Sequence, residues 1–293
     1  MKAIRTSVFL LLGAPLLALA QLDSTEPPRD TPLVEKSWDA LADHEISEVG
    51  IKALAINPTK WRHAETPHFI LHFRRVTEAR KVAREVEFDL WFVAKTLNAG
   101  PERYAKKSDV YVFQDEAEWK TFLAQSGAPP WAGSFAIGDD LFLNVRGFGG
   151  QFDSSTLAHE TTHAVVARLY PRQRWPLWLN EGFAEYMAGA SVAARENQPV
   201  RSHQTFLEGA GMPFDEMLAM QRYPSDEATV SQLYQSAEKL VRFLFNKLPP
   251  ERFPKFAEAM MNGETLDAAL TSIYGDKVKD FATFQRQYAR FIK

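Results

Sequence analysis

Apolar residues recur at intervals of three and four along the stretch 75–97. Ala79, Val82, Ala83, Val86, Leu90, Val93, Ala94 and Leu97 line one face, which predicts a long amphipathic helix. Gly100-Pro101 stops it. Short apolar runs at 69–73 and 109–113 have strand length and composition. Two further strands are predicted at 132–137 and 141–145, around a Gly138-Asp139-Asp140 turn. Asp115 is placed to cap a short helix over 116–124, and 127–130 turn the chain.

Beyond Gly147-Phe148-Gly149-Gly150 the pattern becomes helical. Asp153 or Ser154 suits the N-cap of a helix that runs to about Leu169, where Pro171 ends it. Pro176 suits the first turn of the next helix, expected to reach about Ala190. A polar stretch at 191–211 reads as a loop, and helices are predicted at 212–219, 231–248, 251–261, 265–273 and 277–292. Phe243, Phe256, Leu266, Leu270, Ile273, Phe281, Phe284 and Tyr288 supply core positions for them. Strands interleaved with helices, then helices alone, make an α+β plan.

The start of the chain reads differently. Lys2 and Arg5 precede a short apolar run from Val8 to Leu17, and Ala18-Leu19-Ala20 has the small-x-small pattern of a cleavage site. This predicts a bacterial secretory signal peptide cut after Ala20, hence a periplasmic or secreted protein without a stable membrane anchor. Residues 21–60 open with Pro27, Pro28 and Pro32 and carry a weak helical pattern (Leu41, Ile46, Val49), an arm on the domain or a linker. The expected division is 1–20 signal, 21–60 arm, 61–152 sheet-containing subdomain and 153–293 helical subdomain.

Composition narrows the chemistry. The chain has 293 residues, 45% hydrophobic and 24% charged, as expected of a globular protein with a sizeable core. Losing Lys2 and Arg5 would move the formal charge from -3 to -5, and no basic stripe marks a nucleic-acid partner. With no cysteine, there is no thiolate for catalysis, and any metal must be held by His, Asp and Glu.

His159-Glu160-Thr161-Thr162-His163 is the stretch where such ligands converge. Positions i and i+4 share a helix face, so both imidazoles can reach one metal ion. A catalytic zinc site takes three protein ligands and keeps one position open. Glu181, 18 positions beyond His163 on the following helix, is the expected third ligand. One Zn2+ per chain would activate water and polarise a carbonyl, with Glu160 as general base. Glu185, one turn after Glu181, suits an outer role, fixing the tautomer of a ligand histidine. Asn180 reads as a helix-cap or loop residue. Tyr234 is the expected oxyanion donor, with His203 as rival and Tyr186 and Tyr223 behind it. His68 and His72 alternate with apolar residues, which predicts one polar sheet face rather than a second metal site. His44 and His63 have no partner pattern.

These two blocks, 157–163 and Pro176-Leu177-Trp178-Leu179-Asn180-Glu181-Gly182-Phe183-Ala184-Glu185-Tyr186, resemble the gluzincin metallopeptidases, in particular peptidase-MA-like bacterial proteins. The resemblance covers roughly 61–250. The zinc aminopeptidases share the W-L-N-E-G-F block, and their oxyanion tyrosine lies in a Y-x-K-G-x-x-V-L-R segment. Tyr234-Gln235-Ser236-Ala237-Glu238-Lys239-Leu240-Val241-Arg242 is similar to it, with Ser-Ala in place of Lys-Gly, which raises Tyr234 above His203. The resemblance implies a zincin-like fold: a small twisted mixed sheet over the metal helix, a helical C-terminal lobe, and an edge strand (131–137 or 141–145) that pairs with extended peptide or protein substrate. Those aminopeptidases bind the substrate amine through the Glu of G-A-M-E-N. Ala132-Gly133-Ser134-Phe135-Ala136 offers none, so endopeptidase or specialised processing action fits at least as well. The alternatives are a non-catalytic zinc-containing binding or scaffold protein, which would have no use for Glu160, and a zinc hydrolase of a non-peptide cell-wall amide.

Overall fold

The computed structural model describes residues 26–28, 30–145, 153–198, 200 and 211–292. The stretch 1–20, the glycine loop with Phe148, and His203 lie outside the described residues. The architecture is α+β: one mixed six-stranded sheet and, among the described residues, ten α-helices. None of these helices is long and apolar enough to cross a membrane.

The strands are β1 (Val34–Lys36), β2 (Arg62–Glu65), β3 (Phe69–Phe73), β4 (Ser108–Phe113), β5 (Ser134–Ile137) and β6 (Asp140–Asn144). Their order in the sheet is β1-β2-β3-β4-β6-β5. β3, β4 and β6 run parallel; β1 and β2 extend one side antiparallel, and β5 folds back antiparallel on β6 as the far edge. Parallel neighbours need crossovers. Helix α2 (Val76–Thr96) links β3 to β4, and α3 (Glu116–Ser126) follows β4, capped by Asp115 through the amides of Ala117 and Glu118.

Such strands are buried on both faces, and β3 is buried at every position. Phe69, Leu71, Phe73, Val110, Val112, Leu141 and Leu143 pack into the core shared with α2 and the helical half. Tyr111, Phe113 and Phe142 face the other way, into a second cluster with Trp61, Trp119 and Phe122. The expectation of a polar sheet face at His68 and His72 is therefore corrected. His68 precedes β3 and meets Glu87 of α2, Nδ1 to Oε2 2.6 Å. His72 is wholly buried, held between His63 Nδ1 (2.8 Å) and the Asp109 carboxylate (2.9 Å). Period-two alternation could not reveal this, because it assumes that one face meets water.

The arm is part of the sheet. β1 pairs with β2, and α1 (Glu48–Ala55) packs on α3 and β4. Nor does the core divide at 152/153: one cluster runs from Phe69 through Leu157 and Phe183 to Tyr288.

A row of rings crosses the second face in register: His63, His72, Tyr111, Phe142 and Phe135, one per strand from β2 to β5. Neighbouring centroids are 4.8–5.0 Å apart. Cross-strand ring pairs fix register, and a one-residue slip would turn every side chain over. With Phe135 committed to this face, Ser134 must point to the opposite one, towards the helix that carries His159.

That helix is α4 (Ser154–Leu169), capped by Asp153. It packs on α5 (Leu177–Glu196), which packs in turn on α7 (Glu227–Lys247). Helix α5 outruns the predicted end at Ala190, because Ser191 donates a hydrogen bond to Asp89 of α2 instead of opening a loop. Asp89 is fully buried; burial, against the pull of Arg195 and Ser191, lifts its pKa from 3.8 to about 7. A raised carboxylate pKa means that stability is full below pH 3.8 and is lost as pH rises towards 7, at ~1.4 kcal/mol per pH unit. Asp89→Asn removes that titration. Urea unfolding should show the variant gaining on the parent between pH 4 and pH 8; an unchanged difference at the two pH values would contradict the assignment.

Candidate metal centre

Helical geometry alone brings His159 and His163 together, with their Nε2 atoms 3.0 Å apart on one face of α4. The remaining ligand needs α5 to return at close range. Helix α5 packs along α4 on one side and α7 on the other, and Gly182 seats it against α7: a Cβ there would stand 2.4 Å from the carbonyl oxygen of Ala237. Trp178, Leu179, Phe183 and Met187 bury one side of α5 in the core. Glu181 and Glu185, four apart, then face α4.

Glu181 is completely buried. Its Oε2 lies 3.4 Å from His163 Nε2 and 3.6 Å from His159 Nε2, and this oxygen has no hydrogen-bond partner. Its Oε1 accepts from Tyr223 Oη (2.5 Å) and Asn180 Nδ2 (3.1 Å). Glu185 Oε1 stands 3.2 Å from His159 Nδ1, turning that ring's other nitrogen towards Glu181. Among the described residues, His159, His163 and Glu181 form the one group of three such side chains whose ligand atoms converge, all within 4.8 Å of one another.

The electrostatics suit a cation. Burial would lower the His159 pKa, but Glu185, Glu160 and Glu181 outweigh it and hold it up at about 9. Burial would raise that of Glu181, yet His163, His159 and Tyr223 bring it down to about 2. A divalent ion between these groups would compensate the buried carboxylate's charge directly. An orphaned buried carboxylate oxygen facing two imidazole nitrogens, with a second carboxylate behind one ring, fits a metal ion.

Glu160 lies beside the cluster, and its Oε1 accepts from Ser134 Oγ of β5 at 3.3 Å. The Tyr234 ring, on α7, stacks 5.8 Å from that of His159. Burial and the surrounding Glu181, Tyr223 and Glu160 push the Tyr234 phenol well above 10, so it remains a donor. Tyr223, 54% exposed overall, turns its hydroxyl inward, and burial with Glu181 beside it raises that phenol too. Tyr186 stacks on Phe245 at 4.6 Å, against the helical core, away from the cluster. Ser134, Tyr223 and Asn180 are thus brought to roles at the site that their sequence positions did not suggest. The nearness of Asn180 to Glu181 offered a signal, and the sequence places Tyr223 only as a lesser oxyanion candidate, not as a partner of Glu181.

A cleft of about 2030 Å³ opens over this group. Its lining includes Trp131, Ser134 and Phe135 of the β5 region and Tyr223, Val230 and Tyr234 of the helical half. A scan against protein-family models and a search of curated proteins each return no match to this chain.

Proposed function

We propose that the protein is an exported zinc metallopeptidase of the gluzincin type with a zincin-like fold, hydrolysing peptide bonds in an extended polypeptide. One observation carries this reading: Glu160, a carboxylate a metal-binding group does not require, faces the cleft beside the His159–His163–Glu181 cluster. A zinc ion bound there would lower the pKa of water and polarise a substrate carbonyl. Glu160 accepts the proton of the attacking water and returns it to the departing amine. Tyr234 donates to the oxyanion as it develops. Glu185 holds His159 in the tautomer that leaves Nε2 free.

The cleft exceeds the 300–1,000 Å³ usual for a small ligand and so favours a polymer. Among the described residues the outer edge of β5 has no strand partner, and Ser134 on this strand donates to Glu160. An extended peptide could add to it through main-chain hydrogen bonds. The chain from residue 21 to residue 293, incubated with a mixed peptide library, should contain about one zinc ion and cut internal bonds read by mass spectrometry. A chelator should abolish cutting by at least about 10²-fold, and zinc should restore it. Full zinc with no cut peptide would sink the reading.

A further inference from the structure

Two phenols reach the same cluster, and their surroundings separate their roles. Tyr234 lies along the His159 ring with its hydroxyl also turned towards Glu181, while Tyr223 donates to Glu181 Oε1. That oxygen accepts a second bond from Asn180, so two donors hold it. The other oxygen, Oε2, is bare and aimed at the two imidazoles. The Tyr223 ring remains largely exposed and contributes little to the core.

We propose that Tyr223 is a positioning residue: its hydroxyl ties up Glu181 Oε1 and makes Glu181 a ligand through Oε2 alone. The inference rests on the zinc reading above. Its physical basis is competition. A carboxylate with both oxygens free can close on a metal through both and fill the coordination position that water needs. A charge-assisted hydrogen bond to a fully buried oxygen, reinforced by Asn180, opposes that rotation. Tyr234 is then left for the substrate oxyanion.

The test uses the full chain loaded with cobalt(II), whose visible absorption weakens as coordination number rises. Tyr223→Phe should bind one cobalt per chain with a distinctly weaker, shifted band. Its zinc affinity, measured by competition with a chelator, should fall by about 10- to 100-fold. Tyr234→Phe should change the band less than Tyr223→Phe does, since Tyr223 makes the short bond to Oε1. A Tyr223→Phe spectrum superimposable on the parent's, with unchanged zinc affinity, would overturn the proposal, as would a band altered more by Tyr234→Phe than by Tyr223→Phe. A parent that binds no cobalt would remove the metal reading itself, and this inference with it. Because Tyr223 is exposed and outside the core, the variant should keep the parent's circular dichroism, which separates a coordination change from misfolding.

Discussion

Glu160→Gln should leave the zinc content at the parent's level and lower turnover by about 10²- to 10⁴-fold, the range for a lost general base. The substitution is close in shape. The Gln carbonyl can still accept from Ser134 Oγ, so the β5 edge stays where it is. Neither His159–His163 nor Glu181 depends on Glu160 for a hydrogen bond, which is why metal binding should survive. What disappears is a carboxylate in the cleft that can accept a proton from water, which an amide cannot do. Metal analysis beside cleavage rates checks both halves. Equal rates for parent and variant would remove Glu160 from the chemistry.

His163→Ala should do the opposite and take away the metal. An outer partner such as Glu185 is worth about 10- to 100-fold in metal affinity, so loss of a direct ligand from a set of three should cost more than that. Glu181, buried and ionised, would also lose the nearer of its two imidazoles. The readout is thermal unfolding with and without zinc. Zinc at 100 times its dissociation constant should stabilise the parent by about 2.7 kcal/mol and leave the variant unmoved. A variant stabilised by zinc as much as the parent would show that the ion binds elsewhere. Together the two substitutions separate holding the metal from using it.

Much of the scaffold was legible because it follows from local rules. The helical period from Ala79 to Leu97, the caps at Asp115 and Asp153 and the stop at Pro171 agree with α2, α3 and α4. The strands at 134–137 and 140–144 lie within a residue or two of their predicted bounds. What escaped was non-local. β1 is three residues whose pattern carries no signal until β2 lies beside them. The weak helical pattern at Leu41, Ile46 and Val49 leads only into α1 and gives no hint of β1, because apolar spacing is a weak guide in so short an element. Ser191 looked like a loop residue because its partner, Asp89, is 102 positions away.

The site divides along the same line. The sequence by itself determined that His159 and His163 share a helix face and that Glu181 and Glu185 share another, since four residues of α-helix leave little choice. It also determined that no thiol could hold a metal. Only the tertiary structure decided that the two faces meet, by packing α5 between α4 and α7. It decided, too, that Ser134 rather than Phe135 looks towards Glu160, by committing the ring row from His63 to Phe135 to the far side of the sheet. The sequence ranked Tyr234 above Tyr223 but gave no sign that Tyr223 would reach Glu181, because the partners of a phenol depend on which loop folds over which helix. Spacing along a helix is fixed by its pitch, whereas distance across a site is set by packing, and packing is a property of the whole core.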